Sequence, residues 1–376
     1  MTTMPTVAVV GSGYWGPNLI RNLAELSGRP LAGVCDLLPD RVHAMRQRYP
    51  WIQTFPSMDA LLAAVGIDAV AIATPAETHY ALAQQALLAG KHVLVEKPLA
   101  TAPDQCSELV ELARIRGLTL MVGHTFLYNP GLRYVRNLIA GGELGDVLYV
   151  TSRRLNLGQV RQDVNVVWNL APHDIAIILH LLGQRPTRVI AQGLHLLRSA
   201  IADVAFMHFE FESGQAAQVH VSWLDPRKVR EVVVVGTRKM VVFDDVDLDK
   251  QVQVYDKGVE WVGPDGNGRP AGQLSERWDQ FEGYGEYQLL MRSGDLVVPR
   301  VKQAEPLREE VAHFLDCIRH GSQPLSDGVN GWEVVKVLAA ASDSVAGGGE
   351  AIALDWSDEP APQSAGRVDP LAASGR

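Results

Sequence analysis

Near its start the sequence reads Val7-Ala8-Val9-Val10-Gly11-Ser12-Gly13-Tyr14-Trp15-Gly16, an apolar run that leads directly into a cluster of glycines. A continuous apolar run is typical of a strand buried on both faces of a parallel sheet. The glycines fit the pattern G-x-G-x-x-G, in which they allow a tight turn, the approach of a pyrophosphate to the backbone and close helix–strand packing. Free N–H groups at the start of the next helix favour an anion. The stretch therefore predicts a dinucleotide-binding turn formed by Gly11, Gly13 and Gly16, with Tyr14 and Trp15 beside it.

The rest of the first third of the chain alternates predicted strands with predicted helices. The strands are expected at Thr6–Val10, Leu31–Asp36, Gln53–Phe55, Ala69–Ala73, His92–Val95 and Leu118–Val122. Strands joined by crossover helices in this number make a complete doubly wound parallel sheet, and ligands bind such sheets outside the carboxyl ends of the strands. We therefore predict an α/β Rossmann domain over residues 1–123.

A different pattern follows residue 123. Segments such as Asp203–Phe211 and Ala216–Trp223 alternate polar and apolar residues, which indicates a mainly antiparallel sheet with two unlike faces. The predicted helices of this region are Pro172–Leu182, Leu307–Arg319 and Val329–Val345. We predict an α+β domain over residues 124–356, with a large open sheet that serves substrate binding and oligomerisation. Residues 264–272 are expected to form a mobile loop and residues 357–376 a disordered tail.

The composition restricts the classes of function. Lysine and arginine number 34 against 43 aspartates and glutamates, which gives a net charge of −9. An acidic chain without a basic run is a poor candidate for binding nucleic acid or an anionic membrane surface. No apolar run approaches the roughly 18 residues of a membrane-spanning helix, and the start of the chain does not resemble a signal peptide. The cysteines share no metal-ligand or redox spacing, so we expect reduced thiols, no metal site and a cytoplasmic location.

An acid at the end of the second predicted strand indicates which dinucleotide binds. Asp36 stands twenty residues after Gly16, where a carboxylate accepts hydrogen bonds from ribose hydroxyls and repels a 2′-phosphate. NAD is therefore favoured over NADP, although Arg41 lies close in sequence and could accommodate a phosphate unless it faces solvent. Thr74 and Pro75 end the fourth strand, where they could form a loop beneath the nicotinamide ribose or a plain strand-ending turn.

Two stretches carry residues suited to hydride transfer. Glu96-Lys97-Pro98 ends the fifth strand, where a lysine ammonium beside an alcohol oxygen would stabilise developing negative charge. Trp168-Asn169-Leu170-Ala171-Pro172-His173-Asp174 opens a predicted helix, and a histidine such as His173 can remove a hydroxyl proton near neutral pH. The alternatives are an exposed surface lysine and a histidine that caps a helix or fills the core.

Together these motifs resemble the glucose–fructose oxidoreductase, inositol dehydrogenase and MocA family of NAD(P)-dependent oxidoreductases. The resemblance is carried by the glycine turn, Asp36, Glu96-Lys97-Pro98, the turn Gly142-Glu143-Leu144-Gly145 and the helix bearing His173, and it spans Pro5 to about Leu354. It implies that Lys97 lies beside both the substrate and the nicotinamide, and that His173 is the acid–base residue. We assign Glu96 to the cofactor site together with Lys97.

The chain departs from the family pattern at one position of the second stretch. The family has an aspartate four residues before the histidine, and this sequence has Asn169 there. A neutral amide can hydrogen-bond a substrate, but it cannot relay a proton or stabilise an imidazolium by charge. Asp174 adjoins His173, but neighbouring residues on a helix do not face one another, so Asp174 is no obvious replacement. Asn169 stays a candidate for both catalysis and substrate binding.

Substrate contacts are expected mainly from the second domain. Arg153 ends the first strand of that domain, and Arg227 belongs to the basic segment Trp223–Arg230, which could hold a phosphate or form a solvated turn. Tyr128 follows the last Rossmann strand, in a crossover that lines the active site in the family. The predicted substrate-binding set is Lys97, Tyr128, Arg153, Asn169, His173 and Arg227.

The sequence thus predicts an NAD-dependent oxidoreductase that transfers hydride between nicotinamide and a secondary hydroxyl of a sugar or nucleotide sugar. The second stretch resembles that of dehydrogenases of surface-polysaccharide or amino-sugar pathways, which favours a nucleotide-linked hexose with C3 as a candidate position. The alternatives are a cofactor-binding regulator or scaffold of the same fold, and an enzyme that recycles tightly held NAD. The two partly apolar faces of the predicted sheet favour a homodimer or homotetramer.

Overall fold

The structure, a computed structural model, describes residues 4–158, 164–197, 201–262, 268–269, 288–292 and 294–361. The chain divides into two compact units. The first unit is drawn from residues 1–128, 304–339 and 355–376, and the second from residues 129–303 and 340–354.

The first unit is built on a parallel sheet. Its strands are β1 (Val7–Val10), β2 (Leu31–Cys35), β3 (Gln53–Phe55), β4 (Ala69–Ile72), β5 (His92–Glu96) and β6 (Leu120–Gly123). The α-helices that follow these strands are α1 (Gly16–Glu25), α2 (Pro39–Arg48), α3 (Met58–Leu62), α4 (His79–Leu88) and α5 (Pro103–Arg116). The strands lie in the order β3-β2-β1-β4-β5-β6, which reverses between β1 and β4. This is the doubly wound order, and the Rossmann prediction is confirmed.

The local sequence explains why these elements form where they do. Val7, Ala8 and Val9 are fully buried, as expected of a central parallel strand covered on both faces. Pro39 and Pro103 open α2 and α5, where a fixed φ is pre-organised and the missing N–H costs nothing. Gly117 ends α5 in the left-handed region with φ 63°.

The second unit is built on a nine-stranded sheet. Its helices include α6 (Pro130–Ala140) and α7 (Val166–Leu182). The first strands of this unit, in chain order, are β7 (Val147–Leu157), β8 (Pro186–Leu194), β9 (Val204–Phe211), β10 (Ala216–Ser222), β11 (Leu224–Gly236), β12 (Met240–Asp244) and β13 (Val252–Tyr255). The remaining strands are β14 (Gly258–Val262), β15 (Gly268–Arg269), β16 (Gln288–Arg292), β17 (Leu296–Val297) and β18 (Ile352–Ala353). The large sheet runs β17-β13-β12-β11-β7-β10-β9-β8-β18, and β15-β14-β16 form a separate small sheet. β10 pairs with β7 in parallel and the other pairs of the large sheet are antiparallel, so the prediction of a mainly antiparallel open sheet is confirmed.

The large sheet has one covered face and one accessible face. In β9, Ala205, Met207 and Phe209 are buried, whereas Phe206 between them is 46% exposed. Helix α7 packs against β7, β9 and β10. The alternation predicted from the sequence is therefore present, and it sends the apolar residues of these strands toward α7.

The two last helices differ from their predicted placement in the second domain. Helix α8 (Pro306–His320) and the part of α9 (Gly328–Ala346) up to residue 339 belong to the first unit. The segment between them lies along the edge of the parallel sheet, where the N–H of Val122 donates to the carbonyl of Ser326 at 2.7 Å. Sequence periodicity identifies such helices, but it does not indicate which of two sheets they cover.

Helix α7 begins at Val166, six residues before the predicted start at Pro172. The side chain of Asn165 accepts a hydrogen bond from the N–H of Trp168 at 3.1 Å and caps the helix. Pro172 lies inside the helix and deprives the carbonyl of Trp168 of its usual partner. A capping residue therefore sets the start of this helix, and the proline is tolerated.

The predicted loop and tail lie mostly outside the described residues. Of residues 264–272 only Gly268 and Arg269 are described, and they form β15. Of residues 357–376 those up to 361 are described, and Asp358 forms an ion pair with Lys336 of α9. The ammonium of Lys336 also lies 4.9 Å from the ring centre of Trp332 and 5.4 Å from that of Trp356. The first residues of the predicted tail are thus held against the first unit.

In the described parts of the chain, no helix combines the length and apolarity needed to cross a membrane. Cys35, Cys106 and Cys317 are buried and form no disulfide.

Candidate active site

The glycine turn after β1 requires two of its glycines for steric reasons. Gly11 has a φ of 90°, and a Cβ added there would lie 2.6 Å from the carbonyl oxygen of Ala73. A Cβ on Gly16 would lie 1.9 Å from the carbonyl oxygen of Gly11. Between them, the side chains of Tyr14 and Trp15 are exposed. The turn is thus tightly closed on its own backbone and ends at the first residue of α1, where free N–H groups can meet a pyrophosphate.

Asp36 is held as an anion beside this turn. Its Oδ2 accepts from the N–H of Ser12 at 2.7 Å and from the Ser12 hydroxyl at 2.9 Å, while Oδ1 accepts from the N–H of Leu38 at 2.9 Å. Burial acts to raise the pKa of Asp36, but these hydrogen bonds and the Arg41 guanidinium outweigh it, so the pKa is lowered. Arg41 lies 3.7 Å from the carboxylate on the exposed side of α2. Asp36 and Arg41, the two residues predicted to favour a ribose hydroxyl and a 2′-phosphate respectively, are therefore neighbours.

The loop after β4 is tied to the loop after β5 by a buried histidine. His79 places Nδ1 2.7 Å from the carbonyl oxygen of Pro98 and Nε2 2.9 Å from that of Thr74. The hydroxyls of Thr74 and Thr78 lie 2.7 Å apart, and Pro75 is exposed between them. Sequence reasoning singled out Thr74 and Pro75 but missed His79, because a histidine at a helix start carries no signal for a particular carbonyl partner.

Glu96 and Lys97 stand at the carboxyl end of β5, as predicted. The Lys97–Pro98 peptide is cis, Pro98 is buried and Lys97 is half-buried, so Lys97 is not the fully exposed surface lysine of the alternative interpretation. The side chain of Trp15 donates a hydrogen bond to the carboxylate of Glu96. Burial raises the pKa of Glu96 to about 7, against the opposing effects of the Lys97 charge, the Trp15 indole and the N–H of Lys97. The glycine turn and the lysine motif are therefore in direct contact.

A cluster of buried polar groups lies near the Glu96–Lys97 motif, and the sequence did not predict it. The carboxyl group of Glu310, on α8, is fully buried and accepts from the hydroxyl of Thr125 at 2.9 Å. His124 places Nδ1 2.8 Å from the side-chain oxygen of Asn330, and burial lowers its pKa to about 4. The partners are separated by about two hundred positions in the chain, and their contacts depend on how α8 and α9 pack.

Tyr128, a predicted substrate contact, lies in the interior of the first unit. It is fully buried in the first unit, and its hydroxyl lies 3.1 Å from that of Ser326. The aromatic ring fills the interior next to His313, with ring centres 5.6 Å apart. The crossover after β6 thus contributes packing at this position, and the substrate contact of Tyr128 stays a prediction.

In the second unit, Asn169 and His173 lie one turn apart on α7, and both are half-buried. The side-chain oxygen of Asn169 accepts from the indole N–H of Trp223 at 3.1 Å. Asp174 points elsewhere: it is buried, its Oδ2 lies 2.7 Å from Nε of Arg154, and its Oδ1 accepts from the Ser152 hydroxyl at 2.6 Å. Asp174 is therefore committed to the sheet and does not replace the family aspartate.

The two predicted substrate-binding arginines of the second unit lie on strands. Arg153 is exposed and pairs with Glu231 through Nε and Oε1 at 3.1 Å. Arg227 and Lys228 are exposed, but they lie inside β11 where its register shifts between Leu224 and Val229, instead of in a solvated turn. A bulge of this kind re-aims side chains.

Comparison with known protein families identifies the chain. The profile described as oxidoreductase family, NAD-binding Rossmann fold, of the GFO/IDH/MocA group matches residues 6–124, and the GFO/IDH/MocA C-terminal domain matches residues 132–242. The chain belongs to the GFO/IDH/MocA oxidoreductase family. The resemblance inferred from the motifs is confirmed, and the Rossmann domain of the first unit is the NAD(P)-binding domain of an oxidoreductase.

Individual relatives agree with this assignment. The chain is 33% identical to UDP-N-acetylglucosamine 3-dehydrogenase of Acidithiobacillus ferrooxidans, over 68% of this chain and 78% of that protein. A solved structure of that dehydrogenase superposes with a TM-score of 0.73 and 26% identity, covering 93% of this chain and 99% of that one. The 2,7-anhydro-N-acetylneuraminate hydratase of Escherichia coli is 28% identical, over 64% of this chain and 68% of that protein.

Proposed function

We propose that this GFO/IDH/MocA member transfers hydride between NAD and a secondary hydroxyl carbon of a nucleotide-linked sugar. The observation that carries the proposal is the contact between the glycine turn and the lysine motif. The Trp15 side chain donates to Glu96, and Lys97 follows Glu96 directly. The turn that receives the dinucleotide and the lysine that would orient the reacting oxygen thus share one edge of the parallel sheet.

The residues of the turn fit a dinucleotide. Gly11 and Gly16 leave no room for side chains, and α1 starts where a pyrophosphate would meet its N–H groups. When bound, the nicotinamide ring accepts or returns the hydride. The anionic Asp36 supports NAD as the cofactor, since a 2′-phosphate would meet its negative charge. Asp36→Ala should therefore weaken NAD binding and reduce the preference for NAD over NADP, measured as the ratio of the two dissociation constants.

Lys97 and His173 are assigned complementary roles on the reacting hydroxyl. The ammonium of Lys97 would stabilise the negative charge that develops on the oxygen as hydride leaves the carbon. The imidazole of His173 would take the hydroxyl proton, a general-base role for which histidine side chains are well suited. Asn169, one turn earlier on α7, can supply a hydrogen bond but no charge.

The sugar is proposed from the relatives and from the charge of the second unit. The 33% identical relative is a UDP-N-acetylglucosamine 3-dehydrogenase, which supports C3 of a nucleotide-linked hexose or amino sugar as the position oxidised. Arg227 and Lys228 are exposed cations on an acidic protein and are candidates for binding the diphosphate.

The test is a turnover assay with NAD and a panel of nucleotide sugars that includes UDP-N-acetylglucosamine, followed by the absorbance of reduced nicotinamide. Lys97→Ala should lower kcat by at least about 100-fold, because one charge-stabilising group is removed, and should leave the dissociation constant of NAD within a few-fold. The exposed Lys257→Ala is the matched control and should behave as the wild type. Undiminished turnover by Lys97→Ala would refute the assignment.

A second candidate function follows from Asn169. An uncharged residue in place of the family aspartate, with its side-chain oxygen engaged by Trp223, favours a regulator or scaffold that binds cofactor without turnover. Tight NAD binding, together with no turnover of any nucleotide sugar in the panel, would support this candidate over the enzyme.

A further inference from the structure

A guanidinium lies against the glycine turn, and the proposed function gives it no role. Nη1 of Arg41 is 3.7 Å from Oδ2 of Asp36. It also lies 3.3 Å from the position that a Cβ on Gly13 would take, so the guanidinium contacts the turn at a residue without a side chain. Arg41 is thus placed where the turn after β1 meets the acid that follows β2.

The N–H donors of this guanidinium are available to a ligand. The Arg41 side chain is 49% exposed, against 6% for that of Asp36. It donates no hydrogen bond to any described residue, and its 3.7 Å separation from Asp36 is too long for one. A guanidinium carries five N–H donors in a planar fork, which matches the oxygens of a phosphate in a bidentate arrangement. Arg41 is therefore an anion-binding group whose donors are unused.

Asp36, in contrast, is fixed in place. Its carboxylate accepts from the N–H and the hydroxyl of Ser12 and from the N–H of Leu38. Because these hydrogen bonds hold both oxygens, the carboxylate does not turn aside when a ligand brings a second negative charge. A neighbouring cation has to offset the repulsion, and among the described residues Arg41 is the cation within ion-pair distance.

The helix that carries Arg41 allows the guanidinium to shift. No residue of α2 is buried, so the helix packs lightly on the parallel sheet. Segments with few buried apolar contacts move at low cost in free energy. Arg41 can therefore exchange the Asp36 carboxylate for a phosphate group.

We propose that Arg41 binds the 2′-phosphate of NADP, and that Asp36 and Arg41 together let the protein bind both dinucleotides. This inference rests on the proposed cofactor site. With NAD, Asp36 is the acceptor for the ribose hydroxyls. With NADP, the guanidinium donates to the phosphate and offsets the repulsion from Asp36. Arg41 is thus a specificity-determining residue, which adds NADP to a site whose acid by itself favours NAD.

The experiment measures the dissociation constants of NAD and NADP by isothermal titration calorimetry, which requires no substrate. The wild type should bind both dinucleotides. Arg41→Gln should weaken NADP by at least about tenfold, because it removes hydrogen bonds to a charged group, and should leave NAD within a few-fold. Arg46→Gln removes an exposed cation from the same helix and should match the wild type with both.

Two further measurements locate the contact. Arg41→Lys keeps the positive charge but not the planar fork, so its affinity for NADP should lie between those of the wild type and Arg41→Gln. Adenosine 2′,5′-bisphosphate and AMP lack the nicotinamide and differ in the 2′-phosphate. Arg41→Gln should weaken the bisphosphate by the same factor as NADP and leave AMP within a few-fold.

A double variant distinguishes a contact with the phosphate from neutralisation of Asp36. In an Asp36→Ala background the guanidinium no longer has a carboxylate to offset. Adding Arg41→Gln to this background should still weaken NADP by about tenfold, because the hydrogen bonds to the phosphate are lost. Thermal melting verifies that each variant folds.

Equal weakening of NAD and NADP by Arg41→Gln would overturn the inference, as would unchanged NADP binding or the loss of the effect in the Asp36→Ala background. A wild type that binds NAD but not NADP would also overturn it. In all these cases NAD still binds and the proposed function stands. Failure of the wild type to bind either dinucleotide would overturn the proposed function together with this inference.

Discussion

The two ring nitrogens of His79 lie within hydrogen-bond distance of the carbonyl oxygens of Pro98 and Thr74. These carbonyls belong to the loops that follow β5 and β4. Burial lowers the pKa of His79, so the ring is neutral near pH 7 and donates one N–H at a time. The residue joins the loop of the predicted nicotinamide ribose contact to the peptide that follows Lys97. We therefore assign His79 a positioning role for these loops and no part in the chemical step.

His79→Ala should remove the ring that lies between the carbonyl oxygens of Thr74 and Pro98, and should loosen both loops. We expect the free energy of unfolding to fall by about 2 kcal/mol. We also expect kcat to fall by up to about 100-fold, since small misplacements of reacting groups are costly. Chemical denaturation and steady-state kinetics measure the two effects, with the exposed His43→Ala of α2 as the control. Unchanged kcat would show that His79 does not position the site.

His124 gives the protein a predictable loss of stability in acid. Its pKa is about 4 in the folded protein, against about 6.5 in an unfolded chain. Below pH 6.5 the unfolded chain binds a proton that the folded protein refuses, so the free energy of unfolding decreases as pH falls from about 6.5 toward about 4. The loss attributable to His124 should approach about 2–3 kcal/mol.

Denaturant unfolding across this pH range measures the effect as a difference between variants. His124→Gln, which has no titrating ring, should show a flatter profile than the wild type, and His43→Gln should keep the wild-type slope. Parallel profiles for the wild type and His124→Gln would contradict this assignment of the acid sensitivity.

Among the structural elements, α7 depends on a buried ion pair for its attachment to β7. Asp174 of α7 and Arg154 of β7 are both buried, with Oδ2 and Nε 2.7 Å apart. Asp174 directly follows His173 in α7. The ion pair therefore fixes the rotation of the helix that presents Asn169 and His173.

Asp174→Asn should destabilise the protein by about 3 kcal/mol, because it leaves the Arg154 charge buried without its partner. Glu111→Gln, which breaks an exposed pair with Arg114, should leave the free energy of unfolding nearly unchanged, because solvent screens such pairs. The double variant Arg154→Met with Asp174→Leu should recover most of the loss, because apolar groups of similar volume need no counter-charge. A double variant no more stable than Asp174→Asn would contradict this account of the pair.

The elements also show how far the sequence predicts the site. Gly11, Gly16, Asp36 and the Glu96–Lys97 motif were predictable because each requirement is local: a turn without Cβ atoms, or a residue at the end of a strand. His79 and Glu310 were not, because their roles depend on contacts made only after loops and helices pack. The burial of Tyr128 was likewise not evident from its motif, because it depends on the packing of the segment around Ser326.

At the scale of the whole molecule, the accessible face of the nine-stranded sheet supports the predicted oligomer. Tyr149, Leu157 and Phe206 lie on its strands and are 44%, 70% and 46% exposed. Exposed apolar groups gathered on a sheet face are typical of protein interfaces. Sedimentation equilibrium should therefore give a dimer or tetramer, and Phe206→Glu should shift it toward monomer. A monomeric wild type at micromolar concentration would refute this prediction.

In the proposed reaction, hydride passes from a sugar carbon to the nicotinamide with the help of Lys97 and His173. The most direct measurement uses a nucleotide sugar deuterated at the carbon proposed to be oxidised, C3 of UDP-N-acetylglucosamine, and mass spectrometry of the cofactor after reaction. We expect one deuterium in the reduced cofactor formed by the wild type. Lys97→Ala and His173→Asn should form deuterated cofactor far more slowly. Reduced cofactor without deuterium, or deuterium transferred equally well by Lys97→Ala, would contradict it.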